Sequence, residues 1–532
     1  MKRAGNLLLS LLVLLSVLQI GENRAQAATG DAVAPQLAAG EYFSLALYSD
    51  GTVWGWGRGG SGQLGNGKTG NYTYPVKTAG LSGVQSIGIG YFNGYAVLED
   101  GSVWAWGKND YGQIGDGTTT GRISPVQVQG LSGIKKVSSG SGQHALAIDE
   151  YGDVWAWGSN ESGQLGDGTN ISRETPVLLM GLSDIKEVAT GGSFSLALKD
   201  DGTVWSWGWN KQGQLGAGLA ADLREDPQPI PGLSGIVAIS AGYNHALALD
   251  ENGRVWAWGQ NTNAAVGDGT YTERRSPVQV AGLDDVATIS AGYFHNLVIK
   301  NDGTVWGWGF NHQNQLGDGS ATTSTTPIRV PGLERAAVAA AGQFHSLAMD
   351  SDGFVWAWGY NGGGPLGDKT ENSRPTPVRN AIVMDVTAPF TDIAEFAASD
   401  ITTTGMTLNW DKASDNMTES DRLQYAVYQS EDGSIYSPQL AEKRGTLLMD
   451  YTADVDTFTV SGLTPDTGYF FNVIVKDAAG NKSPYTMIWE STLPTYAVTY
   501  DGNGSSGGTA PKDAKEYAAG EKAAVLGQGS LV

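Results

Sequence analysis

No cysteine occurs anywhere in the 532 residues. Disulfides, thiolate metal sites, cysteine nucleophiles and thiol redox chemistry are therefore excluded. Basic residues are outnumbered, 33 against 55 acidic, for a net charge of −22. Such a chain repels phosphate backbones, which argues against nucleic acid as a partner. Long runs of one charge sign are missing too, as expected of a well-solvated surface. Histidine is scarce, with five in all. After the first twenty residues no apolar run approaches the ~20 residues that a membrane-spanning helix needs.

The N-terminus reads as a secretory signal. Lys2 and Arg3 form its positive end, Leu7 to Ile20 is apolar apart from Ser10, Ser16 and Gln19, and Ala25-Gln-Ala27 fits a small-x-small cleavage site. The expectation is a signal peptide over residues 1–27, a mature chain from Ala28, and a secreted or cell-surface protein with no membrane span after signal removal.

What the chain has in abundance is a repeat. Trp-x-Trp-Gly begins at Trp54, Trp104, Trp155, Trp205, Trp256, Trp306 and Trp356, with spacings of 50, 51, 50, 51, 50 and 50 residues. Fourteen of the seventeen tryptophans lie in this motif. A fixed period of this length means an array of identical supersecondary units. In the fifth unit, Ile236–Ser240, His245–Leu249 and Arg254–Trp258 alternate with period two and predict three strands, with a hairpin turn at Asn252-Gly253. A shorter fourth strand is predicted at Pro277–Val280, with proline at its start. Four short antiparallel strands repeated seven times predict an all-β chain with a seven-bladed β-propeller over residues 33–386. Trp256 and Trp258 fall on one sheet face and the intervening alanine on the other. The large face of each blade should pack on the small face of its neighbour, each indole contributing at most about 4–6 kcal/mol before entropy. The apolar ends, Ala32–Leu37 and Ile382–Val386, are expected to close the ring by meeting in one blade.

The motifs Ala341-Gly-Gln-Phe-His345, Asp352-Gly-Phe-Val-Trp-Ala-Trp-Gly359 and Gln164-Leu-Gly-Asp-Gly168 resemble the regulator of chromosome condensation repeat family, over residues 33–386. Some copies depart from the pattern. The fifth has Asn263-Ala-Ala-Val-Gly267, the seventh Gly364-Pro-Leu-Gly367, and the fourth a longer loop from Ala217 to Pro229. Relatives in that family include exchange factors for a small GTPase, a role that an exported protein would not share, and a secreted inhibitor of β-lactamase.

After Pro389 the chain changes character. Trp410, Tyr425, Leu463-Thr-Pro-Asp-Thr-Gly-Tyr469 and Phe471–Val475 resemble a fibronectin type III β-sandwich over 389–494, with Tyr469 at its corner-tyrosine position. Residues 496–532, with Tyr496–Gly504, Gly507–Pro511 and Tyr517, look like the start of an internalin-type B-repeat, a module frequent in bacterial surface proteins. It stops near Leu531 without its second half, so the expectation is a fragment of a longer gene product, the alternative being a frayed tail.

Catalytic chemistry finds little support. His144, His245, His295 and His345 each lie eleven residues before the first motif tryptophan, where other copies carry Phe43, Asn93 and Phe194. A metal ligand would not alternate with phenylalanine, so these read as core or turn residues. Gly-Asp-Gly recurs, but a calcium loop needs several oxygens at fixed offsets. No catalytic residue, metal or cofactor is expected.

Strand order puts the Ala-Gly-x-x turn and the long loop after Trp-x-Trp-Gly on one face of the disc. That face carries the residues that differ between copies: Tyr91, Phe92, Tyr111, Trp209, Tyr243, Tyr293, Phe294, Phe310 and Tyr360. Diverse aromatics at fixed loop positions suit a binding surface. They equally suit rings that fill the seams between blades. The function expected is a non-catalytic scaffold that binds an extracellular protein through this face. The alternatives are an inhibitor of an enzyme such as a β-lactamase, or an adhesin that binds carbohydrate or cell wall.

Overall fold

The computed structural model describes residues 33–218, 222–385, 387–391, 395–501, 510–523 and 526. The expected signal segment lies outside them, as does part of the expected B-repeat. The chain divides into two compact units, one ending at Val386 and the other beginning at Thr387.

In the first unit, seven four-stranded antiparallel sheets follow one another along the chain. We number them blades 1 to 7: Gln36–Lys77, Val84–Gln127, Ile134–Leu178, Ile185–Pro229, Ile236–Gln279, Val286–Arg329 and Ala336–Val383. The first strand of each blade lines a central cavity of about 290 Å³, from Leu37 in blade 1 round to Ala340 in blade 7. The second strand is buried throughout, as in Phe43–Leu47, and the fourth is the half-exposed outer edge.

The tryptophan motif builds the seams. Trp258 is fully buried and packs with Trp256 against Phe194, Leu196 and Leu215 of the preceding blade. Ala257 points the other way, into the cluster that holds Trp308 of the next blade. Each second tryptophan also donates its indole N–H to a backbone carbonyl of the preceding blade, at 2.8 to 3.0 Å in all seven seams. Satisfying the indole N–H is what allows so large a ring to be wholly buried.

Three expectations need correction. The fourth strand of the fifth unit starts at Arg274, so Pro277 sits inside it. A register shift between Ala257 and Gly259 and the edge position accommodate a residue without an N–H. In the fourth unit, Leu223–Pro229 is a strand paired with Val204–Trp209 and not part of a longer loop. The ring ends do not share a blade either. Gln36–Ala39 is the inner strand of blade 1, while Arg374–Val383 is the outer strand of blade 7. The ends still meet: Ser49 Oγ donates to the Asp385 carbonyl at 3.0 Å, and Leu37, Ala46 and Trp56 share one core with Leu366 and Met384. The seam between blades 7 and 1 is thus built like the other six.

The fifth copy's departure leaves its loop shape intact. Ala264, at φ 61°, takes the left-handed conformation that Gly163 and Gly213 take in their copies. The hub of the loop is buried Asn261, which accepts from Val266 N at 2.9 Å and donates to the carbonyls of Thr270 and Thr272 at 2.9 and 3.1 Å. Asp268, the aspartate of Gly-Asp-Gly, accepts from Thr270 N and Oγ1 at 3.0 and 2.7 Å and from Arg274 Nε at 2.6 Å. Both its oxygens are committed to its own turn.

The second unit is a β-sandwich of a three-stranded sheet (Phe396–Ser399, Gly405–Trp410, Thr457–Ser461) and a five-stranded sheet centred on Gln424–Ser430 and Gly468–Lys476. Leu408, Trp410, Tyr425, Phe471 and Val473 fill the space between them. The Tyr469 hydroxyl accepts from Thr464 N at 3.0 Å, the corner contact expected of that residue. A seven-residue helix, Pro438–Arg444, is capped by Ser437 Oγ accepting from Leu440 N. Further along, Thr495–Thr499 pairs with Lys512–Ala518 as a two-stranded ribbon.

Candidate functional site

The turn between the first and second strands of each blade is tight because the next blade's backbone passes close by. A Cβ on Gly242 would lie 2.4 Å from the Gly292 carbonyl oxygen. Backbone hydrogen bonds link these turns around the axis: Gly192 N to Tyr243 O (2.9 Å), Tyr243 N to Tyr293 O (3.3 Å), Tyr293 N to Gly342 O (3.1 Å) and Gln343 N to Gly40 O (3.1 Å). The residue after the turn glycine is thereby fixed at the channel mouth. It is Glu41, Tyr91, Gly142, Gly192, Tyr243, Tyr293 and Gln343 in blades 1 to 7, with Ser141 standing in for the turn glycine in blade 3.

The aromatic side chains of this face form one connected set. Tyr91 meets Phe92 at 4.4 Å between ring centroids and Tyr293 at 6.3 Å. Tyr293 stacks on Tyr243 at 5.9 Å, with 15° between the planes, and meets Phe294 at 6.2 Å. Phe294 continues to Phe310 and to Phe344, both at 6.2 Å. Phe344 then meets Tyr42 at 5.9 Å and Tyr360 at 6.5 Å. His312 rests on Phe310 at 4.7 Å. The set draws on blades 1, 2, 5, 6 and 7.

Seven of the nine residues singled out in the sequence join this set: Tyr91, Phe92, Tyr243, Tyr293, Phe294, Phe310 and Tyr360. They are not alike. Tyr243 is 38 % exposed, whereas Tyr293 is 6 % exposed because its neighbours cover it at the axis. For Tyr293 the gap-filling role is the one the structure supports. Tyr111 lies on its long loop, whereas Trp209, expected there too, is the last residue of the strand Val204–Trp209 and pairs with Leu223; neither makes a ring contact with the set among the described residues. Sequence reasoning missed Tyr42, Phe344 and Glu41. Aligning the two residues after each turn glycine would have found all three.

Glu41 is the charged member. It is 7 % exposed, and its Oε2 has no hydrogen-bond partner among the described residues. Burial pushes its carboxyl up to about 7, against the hydrogen bond it receives from the Tyr91 hydroxyl and the charges of Arg58 and Lys108. Burial, and then the charge of Glu41, pushes Tyr91 up to about 12 and holds Tyr293 well above the usual tyrosine range. The Arg58 guanidinium lies 3.8 Å from the Tyr42 ring centroid, a cation–π contact.

The histidines form pairs that resemble catalytic dyads. His144 Nε2 lies 2.9 Å from Ser195 Oγ, and His345 Nε2 lies 2.9 Å from Ser44 Oγ. Each hydroxyl donates its proton to a carbonyl, that of Gln164 at 2.8 Å and that of Pro365 at 2.9 Å. The histidine must therefore donate from Nε2, the reverse of what a general base does. His295 repeats the arrangement with Ser346, and His245 donates to Asn296 Oδ1 at 2.7 Å. All four imidazoles are buried and held neutral, pushed down to about 3, or about 4 for His245. They fasten blade to blade.

Comparison with known proteins agrees with this geometry. The model of the RCC1-like domain matches residues 22–235 and 141–398, and that of the fibronectin type III domain matches residues 390–489. The chain is 31 % identical over 230 residues to human E3 ubiquitin-protein ligase HERC2, covering 42 % of this chain and 4 % of that protein. It is 30 % identical over 247 residues to the Arabidopsis thaliana ultraviolet-B receptor UVR8, covering 45 % and 44 %. The chain spans less than half the length of these relatives. Among solved structures it resembles yeast RCC1 (Prp20) bound to Kap60, with a TM-score of 0.56 at 23 % identity, covering 66 % of this chain and 85 % of that one. Human WBSCR16 matches with a TM-score of 0.56 at 22 % identity, covering 62 % and 95 %.

Proposed function

Since the chain belongs to the RCC1-like domain family, whose propellers are often non-catalytic binding scaffolds, we propose that it is an exported or surface-held scaffold that takes an extracellular protein on its turn-and-long-loop face. The observation that carries this reading is the single connected aromatic set, drawn from five blades, with Tyr243 open to solvent. Aromatic anchors of this kind dominate protein interfaces. One solved relative is described as bound to a protein, Kap60. The N-terminal pattern of Lys2, Arg3 and an apolar stretch ending at Ala25-Gln-Ala27 supports export. A tail that looks like a B-repeat would suit attachment at a cell surface.

A photo-crosslinking residue placed at Tyr243, and separately at Tyr151 on the opposite face, tests the reading. Tyr151 is 79 % exposed and so serves as a reactive control. The reading expects a discrete protein adduct from Tyr243 in the native extracellular milieu and none from Tyr151. Equal labelling at both sites overturns it. Adducts to polysaccharide alone would make the face that of an adhesin. N-terminal sequencing of the exported chain should begin at Ala28.

A further inference from the structure

The channel mouth has more hydrogen-bond acceptors than donors. Among the described residues, Glu41 Oε2, Gln143 Oε1 and Gln343 Oε1 are buried acceptor atoms without partners, and the hydroxyls of Ser141 and Tyr293 are unpartnered as well. Glu41, Ser141 and Tyr293 are each more than nine-tenths buried. All five residues belong to the turns that ring the mouth, and Ser141 and Tyr293 also line the central cavity. Unpaired buried acceptors of this kind are rare and call for a donor.

Neither nearby cation of the chain fills the role. Arg58 lies over the Tyr42 ring and reaches the Tyr360 hydroxyl at 3.5 Å. Lys108 pairs with Asp110 at 2.9 Å. Blades 3 and 4 carry Gly142 and Gly192 where the other blades carry a side chain, so blade 3 presents Ser141 beside a glycine at that side of the rim.

We infer that this recess takes the ammonium group of a lysine side chain from the bound protein, with Glu41 as its counter-ion. An ammonium brings three N–H donors and no acceptor, which matches what the recess lacks. Its positive charge suits the Glu41 carboxylate. The net charge of −22 favours a basic partner for the chain as a whole.

The inference rests on the reading of this face as the binding face, but can fail without it. Fluorescence anisotropy with the full chain and labelled Gly-Ser-Gly-Lys-Gly-Ser-Gly, against the same peptide carrying norleucine or arginine, tests it. The lysine peptide should bind at least tenfold more tightly than either. Glu41→Gln should abolish that preference while the chain stays folded, and Glu251→Gln on the opposite face should leave it intact. No binding at millimolar lysine peptide, no preference over norleucine, or a preference that survives Glu41→Gln overturns the inference. So does choline binding in place of the lysine peptide, which would make the ligand a free quaternary ammonium. If Tyr243 still crosslinks a partner in any of those cases, the face binds protein without a lysine entering the recess.

Discussion

Tyr91 of blade 2 and Tyr293 of blade 6 meet over the propeller axis, with ring centroids 6.3 Å apart. These blades are not neighbours, so the contact spans the mouth of the central cavity. Tyr293 is both a lining residue of that cavity and a stacking partner for Tyr243. Its hydroxyl is buried with no partner among the described residues, while its ring carries the packing.

The two halves of that side chain should therefore have opposite effects on stability. Tyr293→Phe removes an unsatisfied buried hydroxyl and should stabilise the propeller by roughly 1 kcal/mol or more. Tyr293→Ala leaves a void under Tyr91 and Tyr243 and should destabilise by about 3–5 kcal/mol. Urea denaturation of both variants checks this. A loss of stability in Tyr293→Phe would mean that the hydroxyl has a partner in solution.

Glu41 should make stability depend on pH in a direction unusual for a carboxylate. Its folded value of about 7 stands above the ordinary 4.5, so the folded state holds a proton that the unfolded state has lost. Its contribution is fully present below about 4.5 and is lost as pH rises through about 7. The groups that face it are Tyr42, Tyr91 and Tyr293, whose hydroxyls stay protonated in this range, and the cations Arg58 and Lys108. Glu41→Gln removes the charge, so its stability advantage over the parent should grow between pH 5 and pH 8 by on the order of 1–3 kcal/mol. Parallel curves at the two pH values would contradict the burial of this group.

The four seam histidines act in the opposite sense. Their folded values, about 3 for His144, His295 and His345 and about 4 for His245, lie below the ordinary 6.5. Stability is fully present above 6.5 and is lost as pH falls toward those values, because only the unfolded chain takes up the protons. With four such groups the slope should approach about 5 kcal/mol per pH unit near pH 5.5. The Glu41→Gln background isolates the effect from the opposing glutamate. Stability that stays flat between pH 6.5 and pH 5 would show that the imidazoles titrate freely.

The sequence makes legible what repeats. The Trp-x-Trp-Gly period predicts seven blades, and the indole bonds from Trp56 to Trp358 explain why the period is so strict: each closes a seam of the same geometry. Tyr469 likewise announces the sandwich before any coordinate does. The site is harder to read because it is made of departures from the repeat. Glu41 and Gln343 occupy one turn position that is tyrosine or glycine elsewhere, and only the closed ring makes them neighbours. The contact of Tyr91 with Tyr293 has no signature in periodicity at all. The Ser195–His144 and Ser44–His345 pairs were invisible for the same reason, since each joins two blades. Closure is not legible in the sequence, because apolar ends fit a shared blade as well as two adjacent ones.

Ala264 offers a test of how far the repeat itself constrains the chain. It holds φ at 61°, a region where a Cβ is strained, at a turn position that Gly163 and Gly213 fill in the third and fourth blades. The turn keeps its shape because Asn261 Oδ1 accepts from Val266 N at 2.9 Å and the Ala264 N–H donates to the Asn261 carbonyl at 2.9 Å. Ala264→Gly should relieve the strain and stabilise the propeller, less the entropy that glycine adds to the unfolded chain, for a net gain of roughly 0.5–1 kcal/mol. The reverse change at Gly213 meets a second obstacle, since a Cβ there would lie 2.8 Å from Arg275 Cα. Gly213→Ala should therefore destabilise by more than Ala264→Gly stabilises. Chemical denaturation of the two variants decides it, and equal and opposite shifts would mean that backbone conformation alone, without the neighbouring blade, sets the preference for glycine in this loop.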